Sequence, residues 1–196
     1  MNFFEVFELP RRLAVDGDEL QRRFYALARR THPDFHQGVP VAERAAVEER
    51  AALVNAAYRT LRDPIARADY LVRLEEGRTT REGGGESRPK APPALLAEMF
   101  EIQEALAEAK AGPLDDSARA GLVEQRQALE ARHAAEEARV RGPLAARWDA
   151  ASPEERPAAL AALKDALATR AYLRTVIADL AEALGEEEPG VAHHRH

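Results

Sequence analysis

The side chains best suited to chemistry in this chain lie close together, between residues 32 and 36. His32 and Asp34 flank Pro33, and His36 follows at the same alternate spacing. Imidazole and carboxylate groups can move protons, form hydrogen bonds or coordinate a metal ion. Alternate side chains of a loop could converge on one ion, but the sequence supplies no evident fourth ligand. A metal site is therefore an alternative interpretation, and we predict that no metal binds.

Sets of residues typical of catalysis are absent from the rest of the sequence. No Ser/His/Asp set and no pair of carboxylates has a credible helper group. The chain contains no cysteine, which excludes disulfides and thiolate metal sites and agrees with a reducing compartment. The histidines of the C-terminal tail could hold a metal ion only weakly, and we predict disorder over residues 186–196. We expect a protein that is not an enzyme and has no catalytic residue and no cofactor.

A helix must precede the His-Pro-Asp sequence and position it. Asp16 is a suitable N-cap, and Glu19 three residues later completes a capping-box pattern. Apolar residues then recur at helical spacing on one face, at Leu20, Phe24, Leu27 and Ala28. Arginines occupy the remaining surface, at Arg22, Arg23, Arg29 and Arg30. Because proline disfavours the α conformation at the preceding residue, we expect the helix to end at Pro33 and the turn to hold His32 and Asp34 outward.

Two further helices and a linker complete the N-terminal part. A second helix is predicted over about 41–62, and Asp63 with Pro64 in the first turn begins a third. The stretch 77–93 is rich in glycine, proline and polar residues and has no apolar periodicity, which is typical of a flexible linker. We therefore predict a first domain over 1–76 and a second over 94–185.

Three helices joined by short connections are predicted in the second domain. They run over about 94–111, about 116–141, and from Ser152 to about residue 184. The sequence Gly142-Pro143 is expected to end the middle helix, and Gly185 the last one. Pro157 marks either the start of the last helix or a kink. Since strand signals are thin and Ala and Leu dominate the apolar residues, we predict an all-α fold whose second domain is an antiparallel three-helix bundle.

Composition and charge limit the classes of partner. No apolar run approaches the roughly 20 residues that a membrane span needs, and the N-terminus lacks the basic start of a signal peptide. Residues 1–81 carry arginine but no lysine and are close to neutral, whereas residues 82–196 hold the acidic surplus behind the net charge of −6. Neither part has the basic surplus of a nucleic-acid-binding protein. We expect a cytoplasmic monomer that binds neither nucleic acid nor membrane.

The helix predicted over 94–111 carries more apolar surface than one stripe requires. Its main stripe consists of Leu95, Met99, Ile102 and Leu106. Leu96 and Phe100 lie about 100° away from that stripe, close to Glu101 and Glu104. These two side chains either widen the core face or form an exposed patch of the kind that marks partner sites.

Two stretches of the sequence carry a resemblance to a known family. The first has the J-domain order of a basic helix, a His-Pro-Asp loop and a second helix that ends in Asn-Ala-Ala-Tyr at 55–58. The second is the continuation through Tyr70, Leu71 and Leu74, together with the opening sequence at 2–10. The combination resembles HscB, the J-domain co-chaperone family of iron–sulfur cluster assembly.

The resemblance implies contact with a DnaK/HscA-type ATPase chaperone. In J-proteins the His-Pro-Asp loop stimulates ATP hydrolysis by that chaperone, and a basic helix docks on its acidic surface. The implied trigger residues are His32, Pro33 and Asp34, and the implied docking charges are Arg22, Arg23, Arg29 and Arg30. Without a partner, the loop would be a helix-stopping turn and the arginines a solvated helix face. Thr31 and Phe35 depart from the residue types common beside the motif.

The resemblance also implies contact with an IscU-type iron–sulfur scaffold protein. The family's contact positions fall on Leu96, Ala97, Phe100, Glu101 and Glu104. Tyr172 stands where the family has an aromatic residue beside this patch, and Ala97 is smaller than the residue usual at its position.

The function implied by the resemblance is that of a co-chaperone. It would stimulate the chaperone's ATP hydrolysis and deliver the scaffold protein to it during cluster transfer and maturation of iron–sulfur proteins. A J-domain co-chaperone for a different client and a non-catalytic helical adaptor are the alternatives. Substitutions at His32 and Phe100 discriminate between these three hypotheses.

Overall fold

The structure is a computed structural model that describes residues 1–31, 41–78, 96–111 and 115–185. Within these ranges the regular secondary structure is helical and includes no strand, in agreement with the all-α prediction. The helices are α1 Phe3–Val6, α2 Gly17–Thr31, α3 Val41–Arg62, α4 Pro64–Glu75, α5 Leu96–Ala111, α6 Asp116–Arg139, α7 Ala145–Ala150 and α8 Arg156–Ala183. A π-helical turn, Val140–Leu144, lies between α6 and α7.

The chain packs as two compact units. Of the described residues, the first unit combines 1–31, 41–78 and 140–163, and the second combines 96–111, 115–139 and 164–185. This division differs from the domains predicted at 1–76 and 94–185, because residues 140–163 pack with the N-terminal helices. Most of the predicted linker and the whole predicted tail lie outside the described residues, so both assignments stay predictions.

Aromatic side chains fasten α1 to α4 in the first unit. The rings of Phe3 and Tyr70 stack with their centroids 4.4 Å apart, and the Tyr70 hydroxyl accepts a hydrogen bond of 2.8 Å from the backbone N–H of Phe3. Burial raises the pKa of Tyr70 above its ordinary value. A tyrosine suits this position because its ring fills the core while its hydroxyl pairs a polar backbone group.

The sequence analysis did not identify α1 as a helix, although its cap has a sequence signature. The Asn2 side chain accepts from the backbone N–H of Glu5 at 3.0 Å, and the Glu5 carboxylate accepts from the backbone N–H of Asn2 at 3.0 Å. This reciprocal pair is a capping box, which satisfies two backbone donors at once. Phe4 and Phe7 are buried, and their burial stabilises the short helix in the first unit.

The predicted stop at Gly142-Pro143 was wrong, because the helical path continues as a π turn into α7. Proline cannot donate the hydrogen bond of an α-helix, and a widened turn lets the chain pass that position. Buried apolar residues recur every four positions through the turn, at Val140, Leu144 and Trp148. Their burial in the first unit explains why the chain stays helical where the local sequence signals an end.

The carboxylate of Asp149, at the end of α7, holds the segment that leads into α2. Its two oxygens accept hydrogen bonds from the backbone N–H groups of Leu13 and Ala14, at 2.8 and 2.7 Å. Leu13 is itself buried. Since these residues lie four and three positions before Gly17, the first residue of α2, the contact positions the helix that carries the arginines.

Three helices build the second unit, as the sequence predicts for a bundle. Its core is formed by Ile102 and Leu106 of α5, Leu122 and Leu129 of α6, and Leu173, Val176, Leu180 and Leu184 from α8 and the residue after it. The last helix starts at Arg156 with Pro157 in its first turn, where the missing N–H costs nothing. Gly185 ends it with φ +73°, a left-handed conformation that glycine adopts without strain.

Candidate partner-binding surfaces

The first candidate surface is built on the pair of helices α2 and α3. Phe24 of α2 stacks on Tyr58 near the end of α3, with centroids 4.1 Å apart and an interplanar angle of 16°. One turn later in α2, Leu27 lines the same cavity as Val54 of α3. The two helices are therefore antiparallel. Leu20, fully buried, completes the contact face of α2 that the apolar spacing predicts.

Only the Asp16 half of the capping box predicted at the start of α2 is formed. The Asp16 carboxylate accepts from the backbone N–H groups of Asp18 and Glu19, at 2.9 and 3.0 Å. The Glu19 carboxylate instead accepts from Arg22 and Arg23, each at 2.6 Å. These hydrogen bonds, with that of Arg23 the largest effect, lower the pKa of Glu19 below its ordinary value. The predicted capping box is thus half formed, because two guanidinium groups compete for its glutamate.

Arg23 has a structural role that its sequence position did not reveal. Its Nη1 donates to the carbonyl oxygens of Phe7 and Glu8, at 2.6 and 2.9 Å. Glu8 has φ +53°, a left-handed conformation that is costly for a residue with a Cβ. The guanidinium therefore stabilises the turn after α1, and docking on a partner would compete with these bonds.

The other three predicted docking arginines are exposed on α2. Arg22 pairs with Glu19, while Arg29 and Arg30 lie in the last turn, where positive charge also suits the helix dipole. The predicted trigger residues His32, Pro33 and Asp34 follow directly after α2 and lie outside the described residues.

The second candidate surface is on α5. Ile102 and Leu106 are buried in the core of the second unit, whereas 72% of the Phe100 surface is accessible. Glu101 and Glu104 are also exposed. Between the two interpretations of this helix, the structure favours an exposed aromatic with carboxylates beside it rather than a widened core face.

Of the other three predicted contact positions, the structure describes only the side chain of Tyr172. Tyr172 is partly buried and packs against the core cluster that contains Ile102 and Leu106. The backbone of Leu96 and Ala97 belongs to α5, but their side chains lie outside the described part of the structure.

Several known proteins are similar to this chain in sequence. The DnaJ domain family matches residues 2–70. A co-chaperone protein HscB homolog from Vibrio cholerae is 38% identical over 106 residues, which cover 54% of this chain and 60% of that protein. The homolog from Vibrio vulnificus is 36% identical over 122 residues, covering 62% of this chain and 69% of its own length. This chain belongs to the HscB co-chaperone family.

Solved HscB structures extend the similarity over almost the whole chain. The chaperone HscB from Vibrio cholerae superposes with a TM-score of 0.57 and 26% identity, covering 93% of this chain and 96% of that one. The crystal structure of the human co-chaperone protein HscB gives a TM-score of 0.57 at 23% identity, covering 92% and 80%. At 23% identity, the human structure supports only a similarity of fold.

Two further features of this chain escaped the sequence analysis. Asp149 is a lone acid in an alanine-rich stretch, and no local pattern connects it with Leu13. Tyr25 is exposed beside the arginines of α2, and its angular distance from Phe24 could have predicted this.

Two kinds of feature are absent from the part of the chain that the structure describes. They contain no cluster of three or more His, Cys, Asp or Glu side chains that could hold a metal ion. The alternative metal ligands His32, Asp34 and His36 lie outside those ranges, so that hypothesis is untested. No helix within the described ranges is long and apolar enough to cross a membrane.

Proposed function

We propose that this HscB-family protein is a J-domain co-chaperone of a DnaK/HscA-type ATPase chaperone and delivers an IscU-type iron–sulfur scaffold protein to it. The observation that carries the proposal is the antiparallel pair α2 and α3, whose connecting sequence contains His32-Pro33-Asp34. The protein would supply no catalytic group of its own. Its two partners would meet through two separate surfaces.

The first surface would bind the chaperone. Exposed Arg22, Arg29 and Arg30 would steer association with an acidic surface, and the His-Pro-Asp sequence begins two residues after Arg30. His32 and Asp34 would then form hydrogen bonds that promote ATP hydrolysis in the bound chaperone.

The second surface would bind the scaffold protein. Phe100 exposes 72% of its surface to water. Burial of that apolar surface in an interface would be favourable. We assign Phe100 as the anchor, Glu101 and Glu104 as the polar rim, and Leu96, Ala97 and Tyr172 as neighbouring contacts.

Binding both partners at once would link delivery to ATP hydrolysis. A co-chaperone that holds the scaffold protein while it docks on the chaperone raises the local concentration of the client. We further propose that the protein acts as a monomer in the cytoplasm, the compartment favoured by its cysteine-free sequence.

The test is single-turnover ATP hydrolysis by the DnaK-type chaperones from the same source, with and without the scaffold protein. Stimulation by the wild type that is synergistic with the scaffold and lost in His32→Gln is the expected result. Stimulation without synergy would indicate another client. No stimulation by any cognate chaperone would refute the co-chaperone function and leave a helical adaptor.

The scaffold surface has its own test. Phe100→Ala should weaken scaffold binding by about 2 kcal/mol, roughly thirtyfold, because truncation of a central aromatic anchor typically costs that much. Titration calorimetry measures the change. Gln127→Ala, on the exposed face of α6, is the control and should bind as the wild type does. Equal affinities for all three proteins would remove Phe100 from the interface.

A further inference from the structure

Tyr25 is an exposed aromatic residue of α2 to which the proposed function assigns no role. Among the side chains that the structure describes, only Met1, Tyr25 and Phe100 are large, hydrophobic and exposed. Met1 is the first residue of the chain and Phe100 belongs to the α5 surface. Tyr25, with 55% of its surface accessible, is the only one of these three that lies inside a helix of the first unit.

The register of α2 directs Tyr25 away from the core. Leu20 is fully buried and Phe24 is stacked on Tyr58, so the next residue lies about 100° away from that contact face. The rings of Phe24 and Tyr25 are 5.6 Å apart at an angle of 50°. The partly buried Phe24 ring thus supports the exposed Tyr25 ring from one side, which reduces the conformational freedom that Tyr25 would lose on binding.

Tyr25 is bracketed by positive charge along one stripe of α2. Arg22 precedes it by three residues and Arg29 follows by four, the two spacings that place helical side chains next to each other. Both arginines are exposed, whereas Arg23 is directed to the backbone of Phe7. The stripe ends three residues before His32 in the sequence.

We propose that Tyr25 is the apolar anchor of the chaperone contact and inserts into an apolar recess on the acidic surface that Arg22 and Arg29 face. The partner is the ATPase chaperone of the proposed function, on which this inference rests. Charge complementarity selects an acidic surface, and a tyrosine between two arginines has the composition of interface hot spots. The arginines govern the rate of encounter, and the ring governs how long the complex lasts.

The test is the concentration of this protein that half-saturates stimulation of the chaperone's ATP hydrolysis. Tyr25→Ala should raise that concentration about tenfold, equivalent to about 1.4 kcal/mol, with the maximal stimulated rate unchanged. Tyr25→Phe keeps the ring and should behave as the wild type. Alanine favours helix more than tyrosine does, so the exposed substitution should leave α2 folded, which circular dichroism checks.

Salt separates the anchor from the charges. Raising the ionic strength should increase the half-saturating concentration of wild type and Tyr25→Ala by the same factor, since apolar burial is not screened. Glu154→Ala, on an exposed turn of the same unit, should match the wild type. An unchanged half-saturating concentration in Tyr25→Ala, or a loss confined to the maximal rate, would overturn the anchor while the co-chaperone function stands. A wild type without His32-dependent stimulation would refute that function itself.

Discussion

Single side chains decide how α2 is presented. Asp149 accepts two backbone hydrogen bonds from Leu13 and Ala14, and its charge favours the buried, positively charged Arg67. Arg67 is 8% exposed and donates to the carbonyl oxygen of Leu61 at 2.5 Å. Burial lowers the pKa of Arg67, and the carboxylate of Asp149 opposes that shift. One acid thus serves both the approach to α2 and a buried guanidinium.

Asp149→Asn should destabilise the protein by about 1–2 kcal/mol, because a hydrogen bond to a charged acceptor is lost at a site that is part-buried to exposed. The amide keeps one acceptor oxygen but turns an NH₂ group towards the second backbone donor, and it removes the charge near Arg67. Urea unfolding measures the change. Asp165→Asn, on the exposed face of α8, is the control and should leave the midpoint within error. Equal midpoints for all three proteins would contradict this role of Asp149.

The pair of helices α6 and α8 is joined by a polar contact that lies beside a histidine. Between α6 and α8, Glu137 and Arg170 form an ion pair of 2.7 Å, and both side chains are about four-fifths buried. His133, one turn before Glu137, has a buried Nε2 with no hydrogen-bond partner among the described residues. Burial, followed by the charge of Arg170, lowers the pKa of His133 below 6.5. The contact between these helices therefore favours neutral imidazole.

The stability of the α6–α8 contact should fall as the pH drops below about 6.5. In that range unfolded His133 binds a proton that folded His133 does not, so protonation favours the unfolded state. His133→Gln should remove this component, and thermal unfolding at pH 7.5 and pH 5.5 measures it. His193→Gln, in the tail, is the matched control. The prediction fails if His133→Gln loses as much stability as the wild type between the two pH values.

The first unit depends, at the scale of the whole molecule, on a segment that comes late in the chain. Residues 140–163 bring the buried side chains Val140, Leu144 and Trp148, and α4 contacts the π turn. Removing a buried tryptophan side chain alone costs about 3–5 kcal/mol, against a total stability of about 5–15 kcal/mol for a typical domain. A fragment that ends at residue 83 would also leave the N–H groups of Leu13 and Ala14 without Asp149.

The isolated fragment 1–83 should therefore lack a cooperative thermal transition, although the J-domain pattern is complete within it. Circular dichroism on the fragment and on the full chain measures helix content and melting. The full chain should unfold cooperatively at a higher temperature. A fragment that melts cooperatively at the temperature of the full chain would show that residues 140–163 contribute nothing to this unit.

Local patterns predicted most of the helices and the two faces that matter. The period of Leu20, Phe24 and Leu27 predicted the contact face of α2. The off-stripe position of Phe100 left a widened core face and an exposed patch open, and the burial of the structure decided that Phe100 is exposed. Helix ends with capping residues, such as Asp63 and Gly185, were also found, because capping depends on a few adjacent residues.

The sequence by itself determined the all-α class, the arginine face of α2 and the similarity to HscB, since each depends on residue type and short-range spacing. Only the tertiary structure decided that Arg23 serves the turn after α1, that the helical path continues past Pro143, and that Asp149 holds the approach to α2. The physical reason is separation along the chain. Leu13 and Asp149 are 136 residues apart, and no local pattern encodes which backbone donors a distant carboxylate will meet.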